Sequence, residues 1–151
     1  RELTKYTSAE LCLQSGTPTM AAIIRTADEQ TLEDYLVLWL ISVNEKLNLK
    51  RPMPEHTLRE TAHHIYTTYP YYTMADINLI FTRALSGQYG EMYESMSMAK
   101  VLGWCKEYGE ERMEVAEYAS LRHHDQYSKH HRDVIDDRRE DTDQHIGPGM
   151  A

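Results

Sequence analysis

The sequence predicts an all-α fold: a compact bundle of about five to six helices, with a long C-terminal helix extending into a charged arm. Three observations carry that expectation. Apolar residues recur at spacings of three and four in one segment after another, the period of a single helical face. Residues suited to capping open these segments, and Gly or Pro closes them. Alternation at period two, the mark of a half-buried strand, has no run of useful length, and no internal repeat is present.

The elements follow in order. Ser8 can cap a short helix to Gln14, closed by Gly16. After the break at Thr17-Pro18-Thr19, Met20 to Ala27 reads as a second short helix. The clearest helix comes next. Thr31 is the expected N-cap, with Asp34 in the capping-box position. Leu32, Tyr35, Leu36, Trp39, Leu40 and Val43 then form one stripe, widened by Leu38 and Ile41. So apolar a helix is expected at the centre of the core. It should end near residues 47–49, ahead of Pro52. Pro54 opens a fourth helix, with Leu58, Ala62 and Ile65 facing inward, and Pro70 stops it. Thr73 caps a fifth helix, with Asp76 in the capping-box position and Gly87 as an αL stop. Ser97 can cap the last helix, on which Val101, Trp104, Cys105, Tyr108, Val115 and Ala119 keep helical spacing. Gly109 is expected to bend it.

The apolar stripe fades after Leu121, which divides the chain into a helical domain, 1–121, and a charged, His-rich arm, 122–151. Glu110 to Asp143 holds eleven acids and six bases. Opposite charges recur at four-residue steps, Asp125 with Lys129, Lys129 with Asp133 and Arg132 with Asp136, so the arm can be helical without a core of its own.

Composition narrows the function classes. The chain has 151 residues, enough for one modest core that needs neither disulfide nor metal to hold it. Its net charge of −8 argues against a general nucleic-acid binder, which needs a net basic face. Eleven Tyr and eight Met against a single Phe suit adaptable contact surfaces as well as a core. Cys12 and Cys105 are far apart, with no CxxC pairing, and read as buried thiols in a reducing, cytoplasmic setting. The longest apolar run, residues 35–41, is too short to cross a bilayer.

The segment from Met74 to Arg112 carries an ordered pattern. Ala75-Asp76-Ile77 is followed by Phe81, Gly87-Gln88-Tyr89-Gly90, Tyr93, Leu102-Gly103-Trp104, Tyr108 and Glu111-Arg112. This pattern resembles an all-helical family of Bacteroidetes and their phages and mobile elements. It covers about a quarter of the chain strictly. The resemblance implies a phage or plasmid setting, and a virion component is one such setting; it carries over no activity, cofactor or catalytic residue. Physically, Gly87 and Gly90 permit a tight connector, over which Tyr89 and Tyr93 can fold. Trp104 would lie beneath it. The corner is either a helix–loop–helix fixture or a binding edge.

Chemistry-bearing constellations are few. Eight His occur, and His123, His130 and His131 are the candidate metal ligands, since separations of three, four or seven can share one helical face. The plain alternative is a solvated helix. HExxH, Walker, GxSxG and GxGxxG signatures are absent from the sequence. The leading expectation is therefore a non-enzymatic helical interaction protein without a cofactor. It would meet a protein partner or a second copy through its arm, with Tyr89, Tyr93, Trp104, Tyr127 and Ile135 as the partner-binding residues. Two alternatives stand beside it. One is a replication accessory factor touching DNA or a helicase through Lys46, Lys50, Arg51 and Arg59. The other is a metal-dependent enzyme built on the His/Asp arm.

Overall fold

A computed structural model describes residues 2–90 and 95–145, with the backbone alone for Glu2 and residues 140–145. The fold is all-α. A 3₁₀ turn at Glu2–Lys5 is followed by six helices among the described residues: α1 (Ala9–Gln14), α2 (Met20–Thr26), α3 (Glu29–Lys46), α4 (Glu55–Thr68), α5 (Met74–Leu85) and α6 (Met98–His145). The only β-type pairing among those residues is two isolated bridges, Thr19 with Thr73 and Arg51 with Ser95. Two compact units are distinguished, Arg1–Met113 and Glu114–Ala151.

Local chemistry sets the helix starts in the first unit. Ser8 and Thr19 accept from Leu11 N–H and Ala22 N–H, capping α1 and α2. The capping box of α5 is complete: Thr73 Oγ1 accepts from Asp76 N–H, and Asp76 Oδ2 accepts from Thr73 N–H at 2.8 Å. The cap of α3 differs from expectation. It is Asp28, three residues before Thr31, and it accepts from Thr31 N–H at 2.6 Å. Hydrogen bonding from Thr31 holds the Asp28 carboxyl below the usual carboxylate range. Either residue type can cap, and the chain takes the one that gains a further helical turn.

The core of this unit is built by inward stripes. Leu32, Leu36, Leu40 and Val43 of α3 are buried, as are Leu58, Ala62 and Ile65 of α4. Each large aliphatic removed from water contributes about 1.5–3 kcal/mol at most. The most enclosed helix is α5 rather than α3. Seven of its twelve residues, Ala75, Asp76, Ile77, Leu79, Ile80, Phe81 and Ala84, are buried, whereas α3 leaves Leu38 in solvent. The reason is position: α5 packs on α1, on α3 and on the 3₁₀ turn. Trp39 of α3 stacks on Phe81 of α5 with centroids 5.4 Å apart.

Main-chain bonds stitch the early segment to the middle of the chain. Met20 N–H donates to Tyr72 carbonyl, Ala21 N–H to Pro70 carbonyl and Met74 N–H to Pro18 carbonyl, all at 2.9–3.0 Å. After α3, the Asn44 amide both donates to and accepts from the Met53 backbone, which fixes the return of the chain into α4.

Helix α6 enters the first unit through Val101, Trp104, Cys105 and Tyr108, all buried. It passes Gly109 without interruption. The glycine serves another purpose than the expected bend. A Cβ there would collide with the Tyr72 hydroxyl, so Gly109 is the notch that admits the buried Tyr72 against the helix.

Candidate interaction surface

Two places stand out: a polar cluster inside the first unit, and the exposed face of the second.

The cluster centres on Asp76, which is fully buried. Its Oδ1 accepts from the Tyr108 hydroxyl. Its Oδ2 accepts from Thr73 N–H, from Thr73 Oγ1 at 3.1 Å and from Arg112 Nε at 3.1 Å. The Arg112 guanidinium lies over the rings of Tyr71 and Tyr72, each at 5.6 Å, and donates to Tyr71 carbonyl. Beside it, Arg83 makes a two-pronged pair with Glu111 and lies over the Tyr108 ring. The pairing with Glu111 pushes the Arg83 guanidinium up. Burial, reinforced by the hydrogen bond to Asp76, pushes the Tyr108 phenol up. A carboxylate that is fully buried and already accepts from four donors is closed to a substrate from solvent. The cluster therefore orients α5 against α6 and closes a buried polar network.

Asp76, Tyr108, Glu111 and Arg112 all belong to the sequence pattern described above. The pattern does not show how they pair: Asp76 with Tyr108 and Arg112, and Glu111 with Arg83, across 28 to 36 residues. One signal was present: Tyr108, Glu111 and Arg112 stand three and four residues apart, on one face of α6.

Both thiols are buried. Burial pushes Cys105 up to about 12, and it also raises Cys12, which lies close to Tyr108. A thiol held protonated and sealed from solvent is a poor nucleophile. At pH 8 the native chain should take up almost no Ellman reagent over an hour, and two equivalents in urea. Fast native labelling would contradict the packing.

The connector residues separate. Tyr89 is partly buried, and its hydroxyl is enclosed with no hydrogen-bond partner among the described residues. Burial pushes the phenol up, opposed by the nearby Arg83 cation, which lies outside hydrogen-bonding geometry. Tyr93 lies outside the described residues. Trp104 is buried in the core. A groove of about 270 Å³ between the 3₁₀ turn and α5 is walled by Tyr6, Thr7, Asn78 and Thr82, with Leu79 and Arg83.

The second unit is different in kind. Its described side chains are exposed or, at Val115, Ala116, Ser128 and Val134, half-buried. Tyr118 and Leu121 are each 64% exposed, Tyr127 is 66% exposed and Ile135 37%. His123, His130 and His131 are exposed, and the His131 ring lies parallel to Tyr127 at 6.3 Å. Among the described residues no group of three or more His, Cys, Asp or Glu is placed to hold a metal ion. The expected steps from Asp125 to Lys129, Lys129 to Asp133 and Arg132 to Asp136 do not close into ion pairs among the described side chains. Arg132 instead reaches back to Ser128 carbonyl, and Arg122 covers the Tyr118 ring. Exposed pairs of this kind are worth only a few tenths of a kcal/mol, so side-chain entropy readily keeps them open.

Elsewhere, Arg59 faces Glu33 at 3.4 Å and Asp34 at 3.5 Å, which neutralises one of the four cations of the expected basic edge. No helix among the described residues is long and apolar enough to cross a membrane. No protein-family model, curated protein or solved structure matches the chain.

Proposed function

We propose that this chain is a non-enzymatic interaction protein, an adaptor that assembles through its charged C-terminal helix. One observation carries the reading. Tyr118, Leu121 and Tyr127 stand about two-thirds exposed along a helix with no core of its own. Large apolar side chains held in water on a polar helix favour a partner that removes them from solvent. The pattern from Asp76 to Arg112 supports the setting: an accessory component of a phage or mobile element. The paired state of Arg59 and the net charge of −8 support a protein contact over a nucleic-acid one.

Deleting residues 122–151 tests the reading. Light scattering on a sizing column should show the full chain assembled and the shortened chain monomeric. Fluorescence of Trp39 and Trp104, both in the first unit, should unfold at an unchanged urea midpoint. An assembly state unaffected by the deletion would overturn the proposal.

A further inference from the structure

We infer that the groove between the 3₁₀ turn and α5 is a binding site for an uncharged pyranose sugar, either free or as the end ring of a longer glycan. The site lies wholly in the first unit, so the inference goes beyond the adaptor reading and does not depend on the arm.

Charge narrows the ligand class first. Among the described residues no carboxylate lines the groove, so its wall has nothing to hold an ammonium ligand. Arg83 is the one cation among those residues, and the two-pronged pair with Glu111 answers its charge. Lys5 stands outside the wall, exposed, over the Tyr6 ring. An anionic ligand would therefore meet no unanswered cation in the wall, and its desolvation would go uncompensated.

The polar groups that remain are hydroxyls and amides in a fixed array. Asn78, Thr82 and Ser86 follow at four-residue steps along α5 and its C-cap, about 6 Å apart on one helical face. Each has already used a proton on the backbone. The Thr82 hydroxyl donates to Asn78 carbonyl at 2.7 Å, and the Ser86 hydroxyl to Arg83 carbonyl at 3.0 Å. Asn78 Nδ2 donates to Leu3 carbonyl at 3.4 Å, which ties the 3₁₀ turn to α5. One amide oxygen and two hydroxyl oxygens keep lone pairs after these bonds, so the groove presents a row of pre-set acceptors.

The matching ligand carries several donors at the spacing of that row. Hydroxyls on opposite edges of a pyranose ring are separated by about the same distance. The Thr7 hydroxyl and the Gln88 amide add groups that both donate and accept, as each sugar hydroxyl does. Gln88 is anchored through its own N–H, which donates to Arg83 carbonyl at 3.0 Å. Tyr6 and Leu79 supply the apolar part of the wall, suited to the C–H face of the ring. The volume of about 270 Å³ falls just short of a drug-sized pocket, which leaves room for one ring and its substituents.

The test is an NMR titration of the full, isotope-labelled chain with the methyl glycosides of glucose, galactose, mannose and N-acetylglucosamine. The side-chain amide signals of Asn78 and Gln88 should move and saturate with at least one of them. Thr82→Val removes one acceptor at nearly constant shape and should weaken that binding about two- to tenfold. Thr82→Phe fills the groove and should abolish it. Thr82 is exposed, so both variants should keep the fold, read from the spread of the other amide signals. Methyl glucuronide and methyl galacturonide, which carry a carboxylate, should bind more weakly than the neutral glycoside. A disaccharide ending in the ring that binds separates the two sources: tighter binding assigns a glycan end, and equal binding a free sugar. Failure to saturate with any of the four glycosides overturns the inference. So does binding that survives Thr82→Phe, binding unchanged in Thr82→Val, or tighter binding of either uronide.

Discussion

Replacing Asp76 with Asn should cost the first unit about 3–5 kcal/mol, the loss expected when one partner of a buried ion pair is removed. Three deficits add. Arg112, held between Tyr71 and Tyr72, loses its anion. The Tyr108 hydroxyl faces an amide in place of a carboxylate. The Thr73 capping box loses its charged acceptor. Urea unfolding followed by tryptophan fluorescence measures it. Adding Arg112→Met should recover part of the loss, because the orphaned cation is then gone and its stem is replaced by apolar packing over the tyrosines. A cost below about 1 kcal/mol for Asp76→Asn would mean that the carboxylate does not organise the corner.

Gly109→Ala should destabilise the same unit by about 1–2 kcal/mol, although alanine is the better helix former by about 1 kcal/mol. The new methyl meets the Tyr72 hydroxyl, and that ring cannot yield. It is fully buried, stacks on Tyr69 at 4.8 Å and stands edge-on to Tyr71 and Tyr108. Its hydroxyl donates to Cys105 carbonyl at 2.7 Å. Tyr72→Phe removes that bond for about 1 kcal/mol and opens space for the methyl. The double variant should therefore be more stable than the two single losses predict. Simple additivity, or a stabilising Gly109→Ala, would show that the notch is not needed.

These two positions also show where sequence reasoning reaches and where it stops. Helical period and capping are local, and the chain wears them openly. The Thr73 and Asp76 box, the Gly87 stop and the stripes of α3 and α4 were all legible. Asp28 does not stand out, because Thr31 offers equally good capping chemistry three residues later. From sequence Gly109 reads as a bend, because a glycine inside a helical pattern has no local reason to be there. Its reason is a tyrosine 37 residues earlier. The Asp76–Arg112 and Arg83–Glu111 pairs are of the same kind: nothing in the spacing of Asp76 and Arg83 along α5 says which residues of α6 will answer them.

The buried pairing of Asp76 sets a timetable for synthesis. Arg112 is made 36 residues after Asp76. At about 5–20 residues per second, the carboxylate leaves the ribosome about 2–7 s before its cation does. Met20 and Ala21 can dock on Pro70 and Tyr72 during that interval, but the chain between α5 and α6 cannot lock. The nascent domain therefore waits with its most enclosed helix unfinished, and the start of α6 releases it into the native state.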